Sequence, residues 1–174
     1  MRCLPAILMM MCLSAMGPTN AAADPAPVSL VDFRIKDQFD KLHTAGYYRH
    51  SVVVLVTGDR KGSDYIEQWA AALHDSVVGL VDSYRVKFLP AAHLKGVPFF
   101  IKSTIKSKFP KEKEKWTLMD YGGVFKKAYD LPDDMCSVVV FDRRGIRRLQ
   151  KSVTDFEPIV QAELLAEIRR LARP

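Results

Sequence analysis

The stretch LVTGDRKGSDYIEQW, residues 55–69, joins a buried strand to a helix and decides the fold. Residues 52–56, VVVLV, form an unbroken apolar run that is typical of a central strand covered on both faces. After the glycine-bounded turn, apolar residues recur at helical spacing. They are Ile66, Trp69, Ala70, Leu73 and Val77. The pattern predicts a strand over 52–56 and a helix over 64–74, with Asp64 and Glu67 arranged like a capping box at the helix start.

Similar patterns organise the rest of the chain. Residues 28–43 alternate in part around KDQFD and predict a hairpin. Further strands are predicted over 85–89, 116–120, 137–142 and 146–150, and further helices over 98–109, 124–131 and 157–172. Strands that alternate with helices predict an α/β fold. We expect a central mixed sheet with helices on both faces and an N-terminal hairpin extension.

The first residues predict export. Met1-Arg2 gives a short positive start, residues 4–13 (LPAILMMMCL) are apolar, and Ala21-Ala22-Ala23 precedes Asp24. The apolar run is too short to span a bilayer, and Ala-x-Ala fits signal-peptidase cleavage. We predict a signal peptide at 1–23 cleaved near Ala23-Asp24, a spacer at 24–27, one domain at 28–174, and a periplasmic location. An uncleaved membrane anchor is the alternative.

Cysteine content and charge narrow the function classes. Cys3 and Cys12 fall in the predicted signal peptide, so Cys136 alone remains, and it cannot form an internal disulfide or a CxxC pair. Lys and Arg number 26 against 20 Asp and Glu, a net charge of +6. Without a motif this predicts no binding of nucleic acid, but it permits an acidic partner or an anionic surface.

Three stretches carry a resemblance to a known superfamily. VVVLVTGDRKGSDYIEQW has the shape of a first β-α unit, and MDYGGVFKKAYDLPDD resembles a segment of Asp, Gly and a Tyr-containing helix. MCSVVVFDRRGIRRL resembles a strand-turn-strand near the end of the same fold. Together they resemble the thioredoxin-like superfamily, in its peroxiredoxin-like branch, over most of residues 30–172. Within it, the chain is most similar to the exported YtfJ-like proteins.

The resemblance implies where a redox site would lie. It places Lys61-Gly62-Ser63-Asp64 over the CxxC motif, and both cysteines are absent, as is the peroxiredoxin Thr-x-x-Cys. Cys136 stands roughly where the fold carries its usual cis-proline. The resemblance therefore implies a thioredoxin-like protein without a redox-active cysteine pair.

The turn after the first buried strand is the first candidate binding site. Its residues are Asp59, Arg60, Lys61, Gly62, Ser63 and Asp64. Unpaired N–H groups at a helix start attract anions, and Arg60 and Lys61 add positive charge. Asp59 and Asp64 bring negative charge to the same place, and Asp64 can satisfy those N–H groups itself. The turn is either a site for a protein or small anionic ligand, or a solvated turn.

Cys136 is the second candidate. The resemblance implies that it lies near the start of the first helix, beside Arg60 and Lys61, where its pKa would be lowered and a thiolate favoured. It would then form mixed disulfides or a disulfide-linked dimer. The alternative is a buried thiol that acts as a small hydrophobic residue.

Neither a metal site nor a cofactor is predicted. The histidines show no H-x-x-H or HExxH spacing. They are His43, His50, His74 and His93. Asp120 and Asp142 follow strand ends, where α/β folds often place sites, but both are also common turn residues.

A basic segment is the last candidate. Its lysines are Lys102, Lys106, Lys108, Lys111, Lys113 and Lys115, beside the apolar Phe99, Phe100, Ile101, Ile105 and Phe109. A basic amphipathic helix can contact anionic lipid or an acidic partner, although a solvated helix face is the usual outcome.

These features predict a non-catalytic binding or accessory protein of the cell envelope. One alternative is a single-cysteine thiol oxidoreductase that uses Cys136. Another is a binder of anionic membrane surfaces or acidic partners through the basic helix.

Overall fold

The computed structural model describes residues 27–173, apart from the side chains of Ser63 and Asp64. The predicted signal peptide, its cleavage point and residues 24–26 of the spacer lie outside the described residues. The strands are β1 (Arg34–Lys36), β2 (Leu42–Thr44), β3 (Val52–Gly58), β4 (Val86–His93), β5 (Leu118–Asp120), β6 (Cys136–Phe141) and β7 (Arg147–Val153). The α-helices are α1 (Ile66–Ser76), α2 (Val78–Asp82), α3 (Lys102–Lys106), α4 (Val124–Tyr129) and α5 (Pro158–Leu171).

A mixed sheet with the order β5-β4-β3-β6-β7 forms the centre of the domain. β3 runs parallel to β4 and antiparallel to β6. β4 and β5 are also parallel, and β6 and β7 are antiparallel. The chain order of helices and strands agrees with the sequence prediction except for α2, which was not predicted, and the predicted mixed sheet is confirmed.

β3 separates two hydrophobic cores, and all seven of its residues are buried. Successive side chains of a strand point to opposite faces of the sheet. Val52, Val54 and Val56 therefore pack under α1 and α5, while Val53 and Leu55 pack under the N-terminal hairpin and α4. This two-sided burial explains why the strand is an unbroken apolar run.

Hydrogen bonds to Asp37 stabilise the hairpin of β1 and β2. One carboxylate oxygen accepts hydrogen bonds from the backbone N–H groups of Phe39 and Lys41, at 2.9 and 3.0 Å. The other lies 2.9 Å from Nε2 of His43, whose ring stacks on Trp116 at 4.3 Å. The hairpin is thereby joined to the loop that leads into β5.

The start of α1 differs from the prediction. Gly62–Tyr65 form a 3₁₀ turn, and α1 begins at Ile66 with Tyr65 as its N-cap residue and no side-chain cap. Asp64 lies inside that turn, so the predicted capping box of Asp64 and Glu67 is wrong. The chain turns more tightly here than a helix start requires, because Gly62 packs against the backbone before β6.

The predicted helix over 98–109 is also shorter than expected. The 3₁₀ turn Phe99–Ile101 precedes the five-residue α3, and neither contains a buried residue. A short helix in water needs a packed apolar face to extend it, and the apolar residues Ile101, Ile105 and Phe109 are only half-buried here.

Candidate functional site

The turn after β3 lies directly on the backbone that leads into β6. Gly58 is paired with Cys136 across the two strands. A Cβ on Gly62 would lie 2.1 Å from the carbonyl oxygen of Met135 and 2.9 Å from the backbone nitrogen of Cys136. A Cβ on Gly58 would lie 2.7 Å from the carbonyl carbon of Gly62. Both positions therefore require glycine, and the structure brings the turn and Cys136 together.

Asp59 fixes the turn from within. Its Oδ1 accepts hydrogen bonds from the N–H groups of Lys61 and Gly62, each at 3.2 Å, and its Oδ2 accepts one from the N–H of Asp134 at 2.7 Å. Partial burial acts to raise the pKa of Asp59, but these backbone hydrogen bonds outweigh it and the pKa is lowered. The carboxylate is thus ionised at neutral pH and is occupied in holding two loops together.

The basic residues of the turn face solvent. Nζ of Lys61 lies 2.6 Å from Oδ2 of Asp134, and the hydrogen bond to that carboxylate raises the pKa of Lys61. Arg60 is exposed beside it. Ser63 and Asp64 belong to the 3₁₀ turn, but their side chains lie outside the described part of the structure. The turn therefore presents an outer surface on which cationic and acidic groups are mixed.

Cys136 is fully buried on β6, in the same core as Trp69 of α1. Burial raises the pKa of its thiol to about 12. The expectation of a lowered pKa is therefore wrong: desolvation by burial is the cause that shifts it, and it acts in the opposite direction. In the folded state the group is a thiol rather than a thiolate at neutral pH.

A small cavity beside the turn is lined in part by His93, which the sequence pattern did not assign to any site. The cavity measures about 10 Å³, and its polar lining includes Asp59, His93, Lys126 and Ser137. Such a volume holds about one water molecule, so an organic ligand does not fit inside. Binding at this place would have to occur on the surface of the turn.

His93 pairs in register with Asp120, where the parallel strands β4 and β5 end. Its Nδ1 is buried and has no hydrogen-bond partner among the described residues. Burial lowers the pKa of His93 against the opposing attraction of Asp120, which keeps the ring neutral at pH 7. A search for metal-binding spacings misses this residue. The signal that could have found it is its position at the carboxyl end of a parallel strand.

Asp120 and Asp142 both serve as turn residues. Asp120 accepts hydrogen bonds from the N–H groups of Val124 and Phe125 and so fixes the start of α4. Asp142 accepts two backbone hydrogen bonds in the turn before β7 and pairs with Arg148 at 2.6 Å. Within residues 27–173, and leaving aside the side chain of Asp64, no three His, Cys, Asp or Glu side chains converge to hold a metal ion.

The basic segment forms a protruding connection between β4 and β5. Phe99 and Phe100 are 86% and 80% exposed, although they were predicted to belong to the apolar face of a helix. Lys106 pairs with Asp40 at 2.5 Å and Lys115 with Glu67 at 2.9 Å. None of the described helices is both long and apolar enough to cross a bilayer.

Comparisons with known proteins give matches to solved structures only. No protein-family model matches the chain, and no curated protein matches it. One structure is the exposed lipoprotein thioredoxin Etrx1 of Streptococcus pneumoniae, with a TM-score of 0.60 and 15% identity over 81% of this chain and 100% of that one.

Two further structures extend this similarity to other branches. A secreted Mycobacterium tuberculosis disulfide oxidoreductase homologous to E. coli DsbE gives a TM-score of 0.54 at 16% identity, over 80% of this chain and 96% of that one. The Xanthomonas campestris bacterioferritin comigratory protein, described for alkyl peroxide reduction, gives a TM-score of 0.58 at 9% identity, over 81% of this chain and 92% of that one. At such identities the similarity concerns the fold alone, and the chain has the thioredoxin-like fold that its sequence predicted.

Proposed function

We propose that this protein is an exported, non-catalytic binding or accessory protein of the cell envelope, built on a thioredoxin-like fold that has lost its redox cysteines. In this proposal residues 1–23 are a signal peptide removed before Asp24, residues 24–27 are a spacer, and residues 28–174 are the mature domain in the periplasm. The Ala-x-Ala pattern supports export. So do the neighbours described as exposed and secreted. Among thioredoxin-like proteins, we propose the exported YtfJ-like group as its relatives.

One observation carries the proposal: the turn that we align with the redox motif holds no sulfur and is fixed by hydrogen bonds. In the alignment that the resemblance implies, Lys61-Gly62-Ser63-Asp64 stands where CxxC would be. Gly62 lies against the backbone of Met135, and Asp59 ties the turn to Asp134. The nearby thiol of Cys136 is fully buried. Without an accessible thiolate, thiol–disulfide exchange has no nucleophile.

The outer surface of the same turn is the proposed contact for an envelope protein or a small anionic ligand. Two hydrogen bonds from its backbone to Asp59, and a third from Asp134 to Asp59, hold the turn, so binding would not have to order it. Arg60 and Lys61 are exposed on it. The cavity beneath holds about one water molecule, which favours a contact across the surface over a buried pocket.

An assay of disulfide exchange tests the proposal that the protein is non-catalytic. We expect the purified protein not to reduce insulin disulfides, whereas Lys61→Cys combined with Asp64→Cys restores a CxxC pair and gives measurable activity. Exchange by the natural protein that disappears in Cys136→Ser would contradict the proposal and favour the single-cysteine oxidoreductase. An inactive, folded double variant would argue against the alignment of this turn with CxxC.

Site-specific photo-crosslinking in intact cells tests the binding part. A photoreactive residue at position 60 is compared with one at Tyr84, which is 73% exposed in the loop between α2 and β4. We expect a discrete adduct from position 60 and none from position 84. Adducts of equal intensity and size from both positions would mean that the turn is not a specific contact.

A further inference from the structure

Two consecutive aromatic side chains project from the connection between β4 and β5. Phe99 and Phe100 are 86% and 80% exposed, more than any other large apolar side chain described in residues 27–173. Single exposed apolar residues are common on protein surfaces and need no explanation, whereas clustered ones mark interaction sites. We call Phe99 and Phe100 the aromatic tip.

The aromatic tip belongs to a lysine-rich segment. Residues 95–115 contain seven lysines and two glutamates. Nζ of Lys102 lies 5.5 Å from the ring centre of Phe99 and 4.3 Å from that of Tyr121. In the described structure, five of the seven lysines form no ion pair with a carboxylate. They are Lys95, Lys102, Lys108, Lys111 and Lys113. The segment thus carries an apolar tip with Lys102 beside it and further unpaired lysines nearby in the sequence.

The shape of the tip favours a lipid surface over a protein groove. Phe99 and Phe100 are neighbours in a 3₁₀ turn, so their side chains leave the chain in different directions. One preformed pocket would not receive both rings, whereas the interface of a bilayer accepts apolar side chains in any orientation. Lysines beside such a tip can extend to lipid phosphates while their methylene groups stay near the apolar region.

We propose that residues 95–113 dock the protein on an anionic lipid surface. Phe99 and Phe100 enter the interfacial region, and the lysines of the segment contact the phosphate groups. This surface uses other residues than the turn at Asp59–Lys61, so the proposal stands or falls independently of the binding site proposed there.

A fluorescent reporter placed in the tip tests insertion directly. Phe100→Trp is compared with Tyr84→Trp, which puts the same probe on another loop. Each is mixed with phosphatidylcholine vesicles with or without phosphatidylglycerol, and quenching by brominated acyl chains is measured against the natural protein, which contains Trp69 and Trp116. We expect quenching of Trp at position 100 only, and only with phosphatidylglycerol.

Vesicle binding of further variants separates the two contributions. Phe99→Ala with Phe100→Ala should weaken binding by about tenfold or more through lost apolar insertion. Lys102→Glu with Lys108→Glu should weaken it by a similar factor and reduce its salt dependence. Tyr84→Ala with Ile159→Ala, two exposed side chains on other elements, should leave it unchanged.

The opposite results overturn the proposal. No quenching at position 100, or equal quenching at positions 84 and 100, would mean that the tip does not insert. Equal binding to vesicles with and without phosphatidylglycerol would remove the role of the lysines. Binding of the tip to an acidic protein but not to vesicles would assign the surface to a protein partner instead.

Discussion

The backbone N–H of Asp134 donates a hydrogen bond of 2.7 Å to Oδ2 of Asp59, and it joins two loops that are 75 residues apart in the chain. The other oxygen of Asp59 accepts hydrogen bonds from the N–H groups of Lys61 and Gly62. The Asp59 carboxylate therefore stabilises the conformation of the turn and links the turn to the segment before β6.

Removal of this carboxylate should destabilise the domain. Asp59→Ala leaves three backbone N–H groups without their acceptor, and we expect a loss of about 2 kcal/mol in the free energy of unfolding. Urea denaturation measures it. The control is Asp134→Asn, which keeps the donating N–H and removes only the exposed pair with Lys61, so its effect should be much smaller than that of Asp59→Ala. Equal losses in both variants would show that the charge pair, and not the backbone bonds, fastens the turn.

The stabilisation by Asp59 should depend on pH. The pKa of Asp59 is lowered from 3.8 in the folded state, because the backbone hydrogen bonds outweigh partial burial. On acidification, Asp59 is therefore protonated at a higher pH in the unfolded chain than in the folded one. The stabilisation by the Asp59 carboxylate is lost as the pH falls through its pKa in the folded state. The stability difference between the natural protein and Asp59→Ala should be constant at pH 5–7, within about 0.3 kcal/mol. It should narrow below pH 3.8. A difference that widens on acidification would contradict this assignment.

The close approach of Gly62 to Met135 predicts a large effect of a single methyl group. A Cβ at position 62 would lie 2.1 Å from a backbone oxygen, which no side-chain motion can relieve. We expect Gly62→Ala to lower the free energy of unfolding by about 3 kcal/mol. Gly79→Ala is the matched control, since position 79 lies in α2 and a Cβ there would meet no atom within 4 Å. This control should stabilise the protein by up to about 1 kcal/mol. Comparable destabilisation by Gly62→Ala and Gly79→Ala would contradict the close contact between Gly62 and Met135.

The thiol of Cys136 should be unreactive until the protein unfolds. Its pKa is raised to about 12 by burial, against 9.0 without that burial. At pH 8 the thiolate fraction falls by about a thousandfold from ionisation alone. Alkylation by iodoacetamide, followed by mass spectrometry, should be slow in buffer and fast in denaturant. Rapid alkylation of the folded protein near neutral pH would favour the single-cysteine oxidoreductase.

The strands were readable from the sequence because burial restricts their composition. β3 and β6 are β-branched, apolar runs of the kind that a sheet covered on both faces requires. The amphipathic stripe of α5 and its Pro158 at the first turn likewise indicated a helix that covers one face of the sheet. In these elements, local pattern and tertiary packing favour the same structure.

The details of the candidate site could not be predicted from the sequence, because they depend on contacts between distant segments of the chain. Asp59 could equally have capped a helix, faced a ligand or pointed into solvent, and only the approach of Asp134 decides among these. The proximity of Cys136 was implied correctly, but its pKa was not, since desolvation depends on the packing around the thiol. For the same reason the sequence could not show that Phe99 and Phe100 are exposed. Periodicity indicates a hydrophobic face, but it does not indicate whether another element packs on that face.

The exposure of the aromatic tip predicts that it contributes little to folding. Phe99→Ala with Phe100→Ala should change the free energy of unfolding by less than about 0.5 kcal/mol, because both rings are solvated in the folded protein. Phe125→Ala, which removes a fully buried ring from the core beneath α4, should lower it by about 3–5 kcal/mol. Thermal and urea denaturation without lipid measure both. A loss above about 1 kcal/mol in the double variant would mean that the tip packs against the domain, and it would then not be available for a lipid surface.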